Sequence, residues 1–118
     1  MKDLFDIIPA RGEGVFDVRL NPDHAVFQGH FPGNAVLPGV CSMMIVRECA
    51  SSLVARPLQY VHVKESKFLA AITPDAHLTV AIRLSTNADT GDVYTLDATI
   101  RCGEITMLKL KARLEPDE

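Results

Sequence analysis

The fold is decided by residues 29–40, GHFPGNAVLPGV, and by the apolar run that follows them to Ala55. Pro32 and Pro38 lack amide protons and favour extended backbone at the residue before each, so a regular helix cannot cover the segment before Pro38. Proline suits the first turn of a helix, and residues 39–55 contain no further proline, which predicts a long helix there. Its first amides carry partial positive charge and suit a polarised carbonyl oxygen or an anion.

This order of residues resembles the hotdog-fold 3-hydroxyacyl-acyl-carrier-protein dehydratases, whose signature runs G-H-F-P-x-x-P-V-M-P-G-V into a helix. Residues 29–32 and 36–40 match it at the family's spacing, with Ala35 in place of the usual proline and Leu37 in place of the common methionine. Weaker likeness covers most of the chain. The resemblance implies the hotdog fold, in which a sheet wraps a central helix.

The resemblance also implies roles for particular residues. His30 is the expected base that removes the proton next to the thioester, and the Gly39 amide is expected to hydrogen-bond the thioester oxygen. We expect Phe31, Val40 and Met44 to line an apolar slot for the acyl chain. In the family, a carboxylate on the partner subunit's helix protonates the departing 3-hydroxyl.

The acid position departs from the family. The family's carboxylate lies fourteen residues after the histidine, and that position here is Met44, which cannot supply a proton. Glu48 lies one helical turn further along the same face, about 6 Å away along the axis, and is the candidate substitute acid. The alternative is that Glu48 pairs with Arg47 or another base. Positioned acid catalysis is typically worth about 10²- to 10⁴-fold in rate.

Three functions therefore compete. The first is a 3-hydroxyacyl-acyl-carrier-protein dehydratase, a hydro-lyase of fatty-acid or related lipid or polyketide biosynthesis. The second is a catalytically impaired subunit of a heterodimeric dehydratase, or an acyl-binding hotdog protein. The third is an acyl thioesterase, for which the helix offers only Glu48 as a carboxylate.

Alternating apolar and polar residues predict strands over residues 15–20, 78–85, 94–101 and 108–114, and a long strand over 58–73 that is interrupted near 64–67. Residues 2–10 are expected to form a short amphipathic turn. About five antiparallel strands and one helix give an α+β architecture. On the helix, the predicted core-facing arc is Met43, Val46, Ala50, Leu53 and Val54, and the opposite arc is Val40, Met44, Arg47, Glu48 and Ser51.

Composition and charge indicate the number of domains, the excluded partners and the expected compartment of the protein. The chain has 118 residues, of which 47% are hydrophobic and 23% charged, as expected of one folded domain over 1–118. A net charge of −3 argues against nucleic-acid binding. Three cysteines without metal-ligand spacing, and no targeting or membrane segment, indicate a reduced cytoplasmic protein. We expect no metal or cofactor. The family implies a homodimer, with a heterodimer or a higher oligomer left open.

The expected partner is an acyl carrier protein or another acyl thioester. Carrier proteins are acidic, so basic docking surfaces suit them. Lys109, Lys111 and Arg113 recur at every second residue and would share one face of a strand, with Arg101 on a neighbouring strand. The alternative is an ordinary solvated sheet face.

Overall fold

The computed structural model describes residues 3–10, 13–28, 35–86 and 91–117. Its elements in chain order are β1 (Phe5–Pro9), β2 (Val15–Leu20), a 3-10 turn (Ala25–Phe27), α1 (Gly39–Val54), β3 (Leu58–Phe68), β4 (His77–Thr86), β5 (Tyr94–Cys102) and β6 (Ile105–Pro116). The six described strands form one antiparallel sheet in the order β1-β2-β4-β5-β6-β3. The predicted α+β architecture is confirmed. Within the described residues, no helix is long and apolar enough to cross a membrane.

The first strand was missed by the sequence pattern. Residues 2–10 were expected to form a turn, but Phe5–Pro9 pairs with β2, with Ile7 opposite Val18. The side chains alternate between half-buried and exposed, which is the two-residue period of a strand. Pro9 is tolerated because β1 lies at the edge of the sheet and ends there.

The long strand β3 ends earlier than predicted. It stops at Phe68, and its pairing with β6 shifts register between Tyr60 and His62 and again between Val63 and Glu65. These bulges are the predicted interruption, displaced by a few residues toward the start of the strand. After β3 the chain turns so that the Ile72 carbonyl accepts a hydrogen bond of 2.8 Å from the Leu37 amide. The segment before α1 is thereby attached to the segment after β3.

The helix is rotated about its axis relative to the prediction. Its buried residues are Cys41, Ser42, Ile45, Val46, Cys49 and Ala50. Val46 and Ala50 were predicted correctly, but Met43, Leu53 and Val54 are only partly buried. The small side chains of the cysteines, Ser42 and Ala50 let the helix lie close to the sheet, so the buried arc follows them. The opposite arc is the less buried one, as predicted, and Val40 is 69% exposed.

A left-handed residue ends α1, and two hydrogen bonds then attach the helix to the start of β3. Ala55 adopts the left-handed conformation with φ of 57° and ends the helix. The Leu58 amide then donates to Ser51 Oγ at 3.0 Å. Tyr60, on β3, donates its hydroxyl proton to the Met43 carbonyl at 2.7 Å. These two bonds hold α1 in place along its axis relative to β3.

Candidate active site

The candidate site lies at the start of α1. Pro38 is the cap residue in extended conformation, and its carbonyl accepts from the amides of Cys41 at 2.9 Å and Ser42 at 3.3 Å. The amides of Gly39 and Val40 precede this first intrahelical bond, so the helix itself provides them with no acceptor. They lie at the positive end of the helix dipole, where a carbonyl oxygen that gains negative charge is stabilised.

Gly39 is in close contact with the aromatic ring of Phe68. A Cβ atom on residue 39 would lie 3.1 Å from two carbons of that ring. Such a distance is shorter than ordinary van der Waals contact, so a side chain here would displace the ring. Glycine therefore lets β3 approach the helix start this closely without moving the half-exposed Phe68 ring.

A cleft of about 460 Å³ opens beside this contact. Its described lining is Leu37, Gly39, Ser42, Phe68, Leu69, Ala70, Ala71 and Ile72. Apart from Ser42, the lining side chains are apolar, and the described lining contains no carboxylate and no imidazole. The size and polarity suit an apolar ligand that has one polar group. An acyl thioester with its carbonyl at the Gly39 amide fits this description.

Ser42 was not predicted as a site residue. It is 2% exposed and is the one buried polar or charged residue in the part of the chain that the structure describes. It lies one turn after Gly39 and lines the same cleft. The available signal was a single hydroxyl on an otherwise apolar helical arc, which sequence patterns do not distinguish from a tolerated core serine.

The other predicted helix residues lie away from this cleft. Val40 and Met44 are on the outer arc of α1, and neither belongs to the described cleft lining. Glu48 forms an ion pair with Arg47 at 3.3 Å, which is the alternative that the sequence left open. Glu48 also lines a second cleft, of about 490 Å³, at the opposite end of the helix beside Arg56. Their roles in an acyl slot or as an acid stay predictions.

Of the predicted site residues, His30 and Phe31 lie outside the described residues. The preceding histidine, His24, is described and has a structural role. Its Nδ1 atom accepts a hydrogen bond of 3.0 Å from the Val26 amide and so caps the 3-10 turn. This bond accounts for His24 without catalysis.

The two buried cysteines, Cys41 and Cys49, are poor candidates for a nucleophile. Burial raises the pKa of Cys49 to about 12, and the neighbouring Glu48 carboxylate adds to the rise. Burial also raises the pKa of Cys41. The reactive form of cysteine is the thiolate, which is therefore scarce at both positions near neutral pH. In the described ranges, no group of three or more histidine, cysteine or acidic side chains could hold a metal ion.

Comparison with known proteins places this geometry in a family. Residues 9–104 match the ApeI-like family, described as ApeI dehydratase. The chain belongs to the ApeI-like dehydratase family. The ApeI-like chain is also 32% identical over 104 residues to the 3-hydroxyacyl-[acyl-carrier-protein] dehydratase FabZ of Levilactobacillus brevis, a match that covers 70% of each protein. It is 28% identical to the FabZ of Lactobacillus helveticus, covering 98% of this chain and 82% of the relative.

Solved structures confirm the predicted hotdog fold. The Dehydratase Heterocomplex ApeI:P from Xenorhabdus doucetiae contains a chain that matches with a TM-score of 0.69 at 22% identity, covering 98% of this chain and 99% of that one. An uncharacterised protein from Erwinia carotovora subsp. atroseptica matches with a TM-score of 0.60 at 26% identity, covering 94% and 90%. The predicted membership of a dehydratase family is confirmed by the family match over residues 9–104.

Proposed function

We propose that this ApeI-like chain is a dehydratase of 3-hydroxyacyl thioesters carried by acyl carrier protein. The observation that carries the proposal is the start of α1, where Gly39 lines a cleft with mostly apolar side chains and lies in close contact with the Phe68 ring. FabZ relatives that cover most of the chain support the substrate class, because their names specify a 3-hydroxyacyl group on acyl carrier protein.

In the proposed reaction, the thioester carbonyl oxygen accepts a hydrogen bond from the Gly39 amide. His30 takes the proton from the carbon next to the carbonyl, and the negative charge that develops on the oxygen is stabilised at the helix start. The electron pair of the broken C–H bond forms the new double bond as the C–O bond to the 3-hydroxyl breaks. The hydroxyl takes up a proton from the acid and leaves as water.

The acid of this reaction is proposed to act across a subunit interface. Glu48 lies nine residues after Gly39, roughly 13 Å further along the helix axis, so the two cannot meet at one substrate within one chain. A homodimer would bring a second copy of α1 to the cleft, as the family resemblance implies. In the described sheet, β3 is an edge strand with Val61 and Val63 exposed, which makes it the proposed dimer contact.

A second candidate is a subunit that needs a different partner chain for the acid. Two observations favour it: Met44 occupies the family's acid position, and Glu48 is already paired with Arg47. The solved ApeI:P assembly, which is a heterocomplex, is a precedent for such pairing within this fold. The thioesterase alternative has no comparable support, because the family match and the FabZ relatives are dehydratases.

The test is the hydration of a crotonyl thioester, the reverse reaction, by purified protein of measured oligomeric state. The variants are His30→Ala and Glu48→Gln, with Arg47→Gln as the matched control that removes the ion pair but keeps the carboxylate. Loss of activity in His30→Ala and Glu48→Gln but not in Arg47→Gln supports a homodimeric dehydratase. Full activity of His30→Ala contradicts the proposed base.

The same assay separates the second candidate. If the purified chain is inactive alone and active after co-expression with a homologous hotdog chain that has a carboxylate at the position of Met44, the chain is the partner subunit. If it is inactive in both preparations, the dehydratase proposal is wrong.

A further inference from the structure

The outer face of the sheet carries a group of cations where β3, β6 and β5 lie side by side. On β6, Lys109, Lys111 and Arg113 are exposed, while the residues between them are buried against the core. Across the strand pair, Lys109 lies opposite Lys67 of β3. Arg101 of β5 extends the group on the same face. We call these five residues, Lys67, Arg101, Lys109, Lys111 and Arg113, the basic patch.

The lysines of the basic patch converge on one carboxylate. Glu65 lies opposite Lys111 and forms an ion pair of 3.1 Å with Lys67. The hydrogen bond from Lys67 and the charges of Lys111 and Lys109 hold the pKa of Glu65 below its ordinary value. Asp97, also opposite Lys111, and Glu115, two residues after Arg113 on β6, are the other carboxylates on this face of the three strands. Five cations thus outnumber three carboxylates in a chain whose net charge is −3, so positive charge is concentrated here.

The basic patch reaches the end of β3 that also lines the Gly39 cleft, on the opposite face of the sheet. Lys67 and Phe68 are consecutive residues of β3, and consecutive strand residues point to opposite faces of a sheet. Lys67 therefore belongs to the outer face, while Phe68 lines the cleft. A macromolecule that binds Lys67 is therefore next to Phe68, the residue of β3 that lines the cleft.

We propose that the basic patch is the docking surface for an acidic acyl carrier protein. The inference rests on the proposed function, because a carrier protein is the partner only if the substrate is carrier-bound. Charge complementarity steers such encounters and fixes their orientation. The position beside Phe68 lets a docked carrier reach the cleft with its flexible thioester arm. The exposed cations that the sequence left open as a solvated face thus acquire a partner.

The experiment compares two substrates with the same crotonyl group, one on an acyl carrier protein and one on N-acetylcysteamine. The test variant is Lys109→Glu/Lys111→Glu, and the matched control is Arg19→Glu, which reverses an exposed charge on β2 of the same sheet. In 20 mM salt, we expect the test variant to raise KM for the carrier substrate about tenfold, with kcat and the small-substrate KM unchanged. The rise should shrink at 300 mM salt, because the ions screen exposed charges.

Equal KM values for the carrier substrate in the test variant and in Arg19→Glu would overturn the docking proposal. Activity on the small thioester tests the proposed function separately. If that activity is absent, fluorescence anisotropy of a labelled carrier protein still measures docking, and the same tenfold loss is expected. If vesicles of phosphatidylglycerol bind the patch while the carrier protein does not, the surface is a lipid site and the proposal is wrong. Thermal melts of all variants are the check that these exposed substitutions leave the fold intact.

Discussion

Gly39→Ala is the most informative single change, because it separates stability from activity. Alanine is favoured over glycine within a helix by roughly 0.5–1 kcal/mol. Against this, the new methyl group would lie 3.1 Å from two ring carbons of Phe68, and overpacking typically costs about 1–3 kcal/mol. The ring is 52% exposed and can shift toward solvent, so the lower end of that cost applies. We expect the free energy of unfolding to change by less than about 1 kcal/mol.

Activity should respond far more strongly to the same substitution. The methyl group and the displaced ring both lie where the thioester must approach the Gly39 amide. Loss of one hydrogen-bond donor to a developing oxyanion costs about 10²- to 10³-fold in kcat, and a displacement of about 1 Å can cost a similar factor. We therefore expect kcat for crotonyl thioester hydration to fall about 100-fold, while the melting temperature moves by only a few degrees.

Two further variants test whether the loss of activity in Gly39→Ala arises at the contact between residue 39 and Phe68. Gly39→Ala/Phe68→Leu removes the crowded ring. Its free energy of unfolding should therefore be higher than the value obtained by adding the changes of the two single variants, as expected for residues in contact. Gly103→Ala changes a glycine in the turn between β5 and β6 and should leave kcat unchanged. If Gly39→Ala keeps kcat within threefold of the original protein, the Gly39 amide does not bind the reacting carbonyl and the proposed site is wrong.

Three predictions concern stability and are checked by chemical denaturation. Gly14→Ala should lower the free energy of unfolding by at least about 2 kcal/mol, because φ is +82° and the new Cβ would overlap a carbonyl oxygen of β4. Gly103→Ala also has a positive φ but open space around the new Cβ, so it should cost only about 1 kcal/mol. Ala55→Gly should stabilise the protein by up to about 1 kcal/mol, because it relieves a left-handed alanine at the end of α1. Tyr60→Phe should cost about 0.5–1.5 kcal/mol by removing the bond to the Met43 carbonyl. Burial raises the pKa of Tyr60 in the folded protein above the value of about 10 expected in the unfolded chain. The stability that the neutral hydroxyl contributes is therefore complete below about pH 10 and is lost as the pH rises toward the pKa of the folded state. Tyr60→Phe should make this alkaline loss of stability shallower.

The sequence predicted most of the fold because periodicity is a local property. Five of the six described strands, β3 with too late an end, and the start of α1 at the Pro38–Gly39 step follow from neighbouring residues alone. The five-residue β1 was missed because so short an alternating segment, ending in proline, is equally compatible with a turn. The buried arc of α1 was misplaced because cysteine and serine were given less weight than methionine and leucine, whereas close packing on the sheet favours small side chains.

Only the part of the candidate site that depends on neighbouring residues was predicted from the sequence. The position of Gly39 at a helix start follows from Pro38, but its contact with Phe68 depends on how β3 passes the helix, which no local pattern encodes. Ser42 was missed for the same reason. The pairing of Glu48 with Arg47 was predicted as the alternative to an acid role, because a base lies next to Glu48 in the sequence, and the structure shows this pair.

The two clefts at opposite ends of α1 make assembly the deciding question for activity. One end has a hydrogen-bond donor and apolar walls but no described carboxylate, and the other has Glu48 but lies roughly 13 Å away along the axis. A single chain therefore cannot place both groups on one substrate. In a homodimer, each cleft would face Met44 and the paired Glu48 of the second copy, whereas a different hotdog partner could present a carboxylate at the family's position. The chain that covers the outer arc of α1 decides which acid, if any, reaches the substrate. Changing the partner chain of the dimer should therefore alter the catalytic rate more than any substitution within the cleft walls does.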